Sequence, residues 1–254
     1  ETIIIWLAGI ERYGLKGFVD QSRKACKVPR PSRQVAALVK RWVWNIRKRE
    51  EQCCGQKMAY FLEREHGVKL SVPKIYEILS EKYLLRSRKS RYQKRGPIPQ
   101  AQAPRQVVQF DTVHFGWVFA FTAIDIYSRE ADVLLRSSVT SDDGVVFLRS
   151  CMKWRFDGHV ELLQNDSGPE FKGEFALRAR LFCDRHRVAR PYKKNEQAHI
   201  ESFNRTLRKE CLGWSKYKPS QMAHLQERVE VFLQRYHYHR PHLAFEPMRP
   251  PLEK

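Results

Sequence analysis

Apolar positions along the back half of the chain fall into two periods. Val107, Val108 and Phe110, and later Val160, Leu162 and Leu163, form short dense runs that end in polar or turn residues such as Ser167, Gly168 and Pro169, the signature of buried strands. Ile200, Phe203, Asn204 and Leu207 instead recur at helical spacing, with Asn195 available as a cap. The full pattern predicts strands at 106–112, 117–126 and 131–137, a helix at 142–155, a strand at 159–165, a helix at 170–186, a short strand at 187–190 and a helix at 195–212. Three consecutive strands followed by alternating helix and strand imply an α/β architecture, a mixed sheet with helices on both faces. A closing helix from Gln221 to about Tyr238 carries the stripe Leu225, Val229, Phe232, Leu233 and Tyr236, which should dock on that core.

The front of the chain is patterned for helices alone. Residues 3–27 read weakly as two short helices broken near Gly14. Ser32 caps a helix to about Glu50, with Val35, Leu38, Trp42 and Ile46 near one face. A second helix runs from about Gln56 to His66, and after Gly67 a third, capped by Ser71 with Pro73 in its first turn, runs to about Tyr83. Helix, glycine turn and short second helix make a helix-turn-helix layout over about 33–84. Ile75, Ile78 and Leu79 should face inward, leaving Lys74, Tyr76, Glu77 and Ser80 for a DNA major groove. A basic stretch follows with Arg86, Arg88, Lys89, Arg91, Lys94 and Arg95, no acid, and then prolines. It reads as an extended linker that tracks phosphates. The expected domains are therefore 1–85 helical, 86–105 linker, 106–216 core and 217–254 closing helix and tail.

Charge sharpens this division. Of a formal +19, residues 1–105 contribute 24 Lys and Arg against 9 Asp and Glu, while the remainder holds 23 against 19. A strongly basic front ahead of a nearly balanced body fits a nucleic-acid-binding arm on an enzyme better than general solubility. The six cysteines form no CxxC pair and have no histidines at zinc-finger spacing, so scattered reduced thiols are expected. The apolar opening Ile3 to Ile10 is too short for a membrane span and lacks a signal peptide's layout. A cytoplasmic protein without membrane contact is expected, and its start at Glu rather than Met suits a fragment or processed chain.

Three carboxylates carry the chemistry. Asp111 and Asp166 sit at or just beyond the ends of strands, and Glu201 lies on the later helix, 35 positions after Asp166. A single Asp after a strand is usually a turn or cap, but three acids that converge supply the oxygen ligands and charge that hard divalent cations need. The strings FDTVHF, AIDIYSR, NDSGPEF, NEQAHIESFNRTLRKEC and YHYHRPHLAFEP, spread across residues 107–251, resemble the transposases and integrases that use an Asp, Asp, Glu triad. Within that superfamily the chain is most similar to the integrase-core transposases of bacterial insertion sequences. Ser167 stands where Asn is more usual, and the family's Gly-x-Thr-Pro ending is degraded to Phe-Glu-Pro-Met-Arg-Pro-Pro.

The resemblance implies a ribonuclease H-like five-stranded sheet whose first and fourth strands are neighbours, bringing Asp111 and Asp166 together with Glu201 facing them. It implies two Mg²⁺ ions, with Mn²⁺ as a substitute, held by the three acids roughly 3.5–4 Å apart for in-line phosphoryl transfer. It also implies element-end and target DNA as partners and a homo-oligomer on DNA. No nucleotide-binding loop is present, so any nucleotide hydrolysis would need an ATPase partner. Arg205, Arg208 and Lys209 share the Glu201 helix face and, with Lys193 and Lys194, are candidate DNA contacts. Asp125 is expected to make an ion pair or turn bond, with Arg129 as a possible partner. His114, His199 and the histidines at 237, 239 and 242 are expected to make structural or DNA-proximal contacts. The alternatives are a non-catalytic DNA-binding regulator and a nuclease that cuts without joining.

Overall fold

The computed structural model describes residues 35–50, 53–85, 98–190 and 195–252. The predicted helices at 3–27, the Ser32 cap, the linker cations Arg86, Arg88, Lys89, Arg91, Lys94 and Arg95, and Lys193 and Lys194 lie outside them. By compactness the chain divides into residues 1–41 and 42–254. Of the first unit, the described residues enter helix α1 (Ala37–Arg49); everything below belongs to the second.

Helices α2 (Gly55–His66) and α3 (Val72–Ser80) follow, with Gly67 ending α2 in the left-handed region at φ 65°. Ile75, Ile78 and Leu79 are buried as their spacing requires. Pro73 lies in the first turn of α3, which ends at Ser80, and the Ser71 side chain makes no capping bond. Tyr76 is committed inward at its tip: its hydroxyl accepts the Gly55 amide at 3.0 Å. Lys74 pairs with Glu77 at 2.7 Å.

The sheet comprises β1 (Val107–His114), β2 (Phe119–Asp125), β3 (Ala131–Arg136), β4 (Val160–Asn165) and β5 (Cys183–Val188), in spatial order β3-β2-β1-β4-β5. β1 pairs antiparallel with β2 and parallel with β4, so the first and fourth strands are neighbours. Alternation sends Val108, Phe110, Phe121 and Ala123 to one face and Val113, Ala120 and Ile124 to the other. The first face packs α4 (Ser141–Trp154) and the short α5 (Glu174–Ala179) through Phe147, Leu148 and Phe175. The second packs α6 (Ala198–Leu207) and α7 (Met222–Tyr238). The stripe Leu225, Val229, Phe232, Leu233 and Tyr236 docks there as expected. A reciprocal capping box between Thr140 and Asp143 starts α4, worth about 1 kcal/mol.

The predicted helix at 170–186 is a correction. A 3-10 turn (Pro169–Phe171) and α5 use only its first part, and Cys183–Val188 is edge strand β5, paired parallel with β4 from Val160↔Cys183 to Asn165↔Val188. Asn195 is also not the cap of α6: Gln197 occupies that position and makes no side-chain capping bond. No described helix is long and apolar enough to cross a membrane.

Candidate active site

The parallel pairing of β1 with β4 ends at Gln109↔Gln164. Asp111 and Asp166 each lie two positions beyond those partners, just past the end of the β1–β4 pairing. The glutamines themselves hold the third element. Gln109 and Gln164 are buried, and each donates its side-chain amide to the Glu196 carbonyl, at 2.6 and 2.8 Å. Gln109 Oε1 also accepts the Ile200 amide at 3.0 Å. Two polar residues inside apolar strand runs thus strap the start of α6 across the strand pair that carries the acids, and Glu201 follows one residue later.

Asp111 is half-buried, whereas Asp166 and Glu201 are exposed. Burial pushes the Asp111 carboxyl up to about 7, and the charges of Asp166 and Glu201 add to that rise. The Thr112 amide, at 2.8 Å from Oδ1, and the Asn204 amide, at 2.7 Å from Oδ2, pull the other way. The three acids therefore act on one another electrostatically. Among the described residues, however, no three of His, Cys, Asp or Glu close into a ready-made metal cage. The donor set is all oxygen and trianionic when ionised, which suits Mg²⁺ or Mn²⁺ and not a soft metal.

Asp166 accepts the Gly168 amide at 2.9 Å. The Gly168 backbone is ordinary at φ −55°. A Cβ there would lie 2.5 Å from Glu170 Oε2 and 3.0 Å from Asp166 Oδ1, so space rather than backbone conformation favours glycine.

Asp111 and Glu201 line a cleft of about 430 Å³ with Asn204, Arg205, Arg208 and Trp214. Arg208 lies 4.5 Å from the Phe115 ring and 5.1 Å from the Trp214 ring, and donates to the His114 carbonyl at 3.0 Å. Trp214 is 71% exposed, leaving most of its indole to the cleft. The basic stripe is divided: Arg205 and Arg208 line this cleft, but Lys209 lines a different cavity with Glu210 and Arg235. From Arg208 to Leu212 the helix widens to π geometry, which breaks the regular helical spacing.

The rival carboxylate Asp125 is fully buried and spent on structure. It accepts the Tyr127, Ser128 and Arg105 amides and pairs with the Arg105 guanidinium at 3.2 Å, rather than with Arg129. His114 packs edge-on to Phe119, and His199 contacts Arg129 and the Pro99 carbonyl. His237 is buried and accepts the Ala131 amide at 3.1 Å. Asn204, the two glutamines and Trp214 are the site residues that spacing alone did not assign. The glutamines carried a signal, a polar residue inside a buried apolar run.

Residues 184–250 match the family model of the integrase core domain. The chain is 25% identical over 214 residues to an uncharacterized 31.7 kDa protein of insertion element IS407 from Burkholderia multivorans, covering 79% of this chain and 75% of that protein. Its fold is similar to a chain of the simian T-cell lymphotropic virus intasome in complex with PP2A regulatory subunit B56 gamma, at TM-score 0.50 and 16% identity, over 83% of this chain and 72% of that one. The catalytic core domain of BIV integrase overlays at TM-score 0.43 and 14% identity, over 58% of this chain and 91% of that one.

Proposed function

We propose that this chain is an integrase-core transposase, an enzyme that cuts element ends and joins their 3′ hydroxyls to target DNA, a reading supported by the integrase core match and the insertion-element relative. The observation that supports this reading is that Asp111 and Asp166 each follow the end of the β1–β4 pairing by two positions, with the start of α6 strapped to those strands and both Asp166 and Glu201 acting on Asp111. Asp111, Asp166 and Glu201 are the residues that would hold divalent cations. When bound, these ions supply charge neutralisation at phosphorus and activation of the attacking oxygen.

The rest of the chemistry falls to the chain's own groups. The Asn204 amide orients Asp111 through Oδ2, leaving its remaining lone pairs for the site. Arg205 and Arg208 hold backbone phosphates beside the acids, as charge-assisted contacts. The open face of Trp214 offers a stacking surface for a base, a contact worth about 1–3 kcal/mol. In joining, the end's 3′ oxygen forms a bond to a target phosphorus while that phosphorus loses its original 3′ oxygen. One phosphodiester replaces another, so the step itself needs no nucleotide hydrolysis, and nothing supports the ATPase partner raised above. Helices α2 and α3, with Lys74 half-buried beside Glu77, and the cations at 86–95, 193 and 194 are the proposed further DNA contacts. The structural neighbour named above is an intasome, which supports a homo-oligomer on DNA here too, and a transposase that acts on DNA would work in the cytoplasm.

The regulator reading is separated by cutting. End-labelled duplex with Mg²⁺ should be nicked by the wild-type chain, while Asp166→Asn binds the duplex with little change and cuts at least a hundredfold more slowly. Binding without nicking in either Mg²⁺ or Mn²⁺ would favour the regulator.

A further inference from the structure

A second group of cations meets on the face of α6 turned away from Glu201. A cavity of about 300 Å³ there is walled by Ser202 and Thr206 of α6, Lys57 of α2, and Arg129, Arg240 and His242, with no carboxylate in its lining. Arg240 is neutralised: its guanidinium makes three contacts of 2.8–3.1 Å with Glu210. The other two cations are not. Lys57 and Arg129, both half-buried, have no ion pair within 4.0 Å among the described residues and feel Glu210 and Asp125 only at longer range. Burial, with Arg240 nearby, brings the Lys57 ammonium down to about 8. Arg129 meets the His199 ring through Nη1, and its Nε has no partner among the described residues.

His242 adds an independent sign. It is 9% exposed, its Nε2 likewise lacks a partner, and Arg240, Lys57 and Arg129 all act on its ring, helping burial hold its pKa down to about 2. Buried charges and buried polar nitrogens are normally paired, because leaving them unpaired costs several kcal/mol. Two unmatched cations and an orphan ring nitrogen around one acid-free cavity lack the same thing, an anion with hydrogen-bonding oxygens.

We propose that this cavity is an oxyanion site that takes a phosphate group, with Lys57 and Arg129 supplying the charge and the neutral His242 ring a hydrogen bond. The group comes either from a DNA backbone or from free inorganic phosphate, which share this chemistry. Occupancy would tie α2 to the rear of the helix that carries Glu201. The adjoining cavity shares Lys57 and Arg240 but contains Glu50 and Glu210, so the positive field is confined to the α6 side.

The probe is inorganic phosphate, added to the full chain without metal or DNA, so the outcome is independent of any cutting or joining. Thermal melts in sodium phosphate should show a saturable rise in Tm beyond that in sodium chloride of equal ionic strength. Lys57→Met and Arg129→Gln should each weaken the apparent phosphate affinity at least tenfold. Ser202→Asp places a carboxylate in the wall; it should abolish the phosphate response without lowering the phosphate-free Tm, and it serves if the other two fail to fold. Duplex binding against salt then separates the sources. If a backbone phosphate occupies the site, Lys57→Met lowers the log–log slope by about 0.9 and phosphate competes with duplex; if free phosphate does, the slope is unchanged. Equal responses to phosphate and chloride, or an undiminished response in the folded variants, would overturn the proposal.

Discussion

Asp111 bears its charge where the fold disfavours it, and that sets its pH behaviour. Its folded pKa is raised from 3.8 to about 7, mainly by burial. Between those values the folded state binds more protons than the unfolded one, so stability falls as pH rises from about 4 to about 7 and stays reduced above. Asp111→Asn in EDTA is therefore expected to melt a few degrees higher than wild type at pH 8, with the gap closing towards pH 4, while DNA cutting is lost. A lower Tm at pH 8 would show that the Asn204 and Thr112 hydrogen bonds outweigh the burial penalty.

Arg105 carries the opposite lesson at the same scale. Its side chain pairs with Asp125, Glu130 and Asp157, donates to the Arg155 carbonyl and lies 5.3 Å from the Phe156 ring. Arg105→Ala would strand the fully buried Asp125, so a loss of about 3 kcal/mol is expected, read as a lower urea midpoint at unchanged slope. The three acids were legible because each sits in a distinctive local string. Arg105 was not, since its partners lie 20 to 52 positions away and nothing local announces them.

Among the elements, α6 and β5 show where periodicity succeeds and where it fails. β1, β2 and β4 were readable as dense apolar runs because both faces of the sheet are covered, β3 buries alternate residues, and α4 and α7 each bury one face at a helical repeat. β5 buries only Cys183 fully and presents Asp184, Arg185, Arg187 and Val188 outward. Such an edge strand has no apolar alternation, and its charges prolonged the apparent helix. Gly173, at φ 54°, stands immediately before α5, which is only six residues long. Past α6, Lys209 leaves the stripe where the π segment begins; even in a regular helix it would lie about 100° around from Arg208. Hence Arg205→Ala should lower the salt slope of duplex binding by about 0.9, measured by anisotropy in Ca²⁺, while Lys209→Ala leaves it unchanged. Equal slopes for the two variants would restore the unbroken stripe.

For the molecule as a whole, charge asymmetry and motif order pointed to DNA before any geometry was known. How the helical segment meets the sheet was not readable, because it depends on distant pairs such as Glu50 with Arg235 and on residues that line shared cavities. The sheet order was readable only through the resemblance; periodicity predicted the strands but not which lie side by side. The end of the central strand β1 meets α6 at one cleft where two acids, two arginines and an exposed indole come together. The central claim is that this cleft, lined by Asp111 and Glu201, joins DNA strands together with Asp166, which acts on Asp111 from outside its lining. The most direct measurement mixes purified protein, Mg²⁺, labelled element-end DNA and supercoiled plasmid, with Glu201→Gln alongside. Label should enter the plasmid with wild type and fall at least a hundredfold with Glu201→Gln, which binds the ends normally. Equal joining by the two proteins would contradict the assignment of Glu201, and end binding without joining by wild type would contradict the account itself.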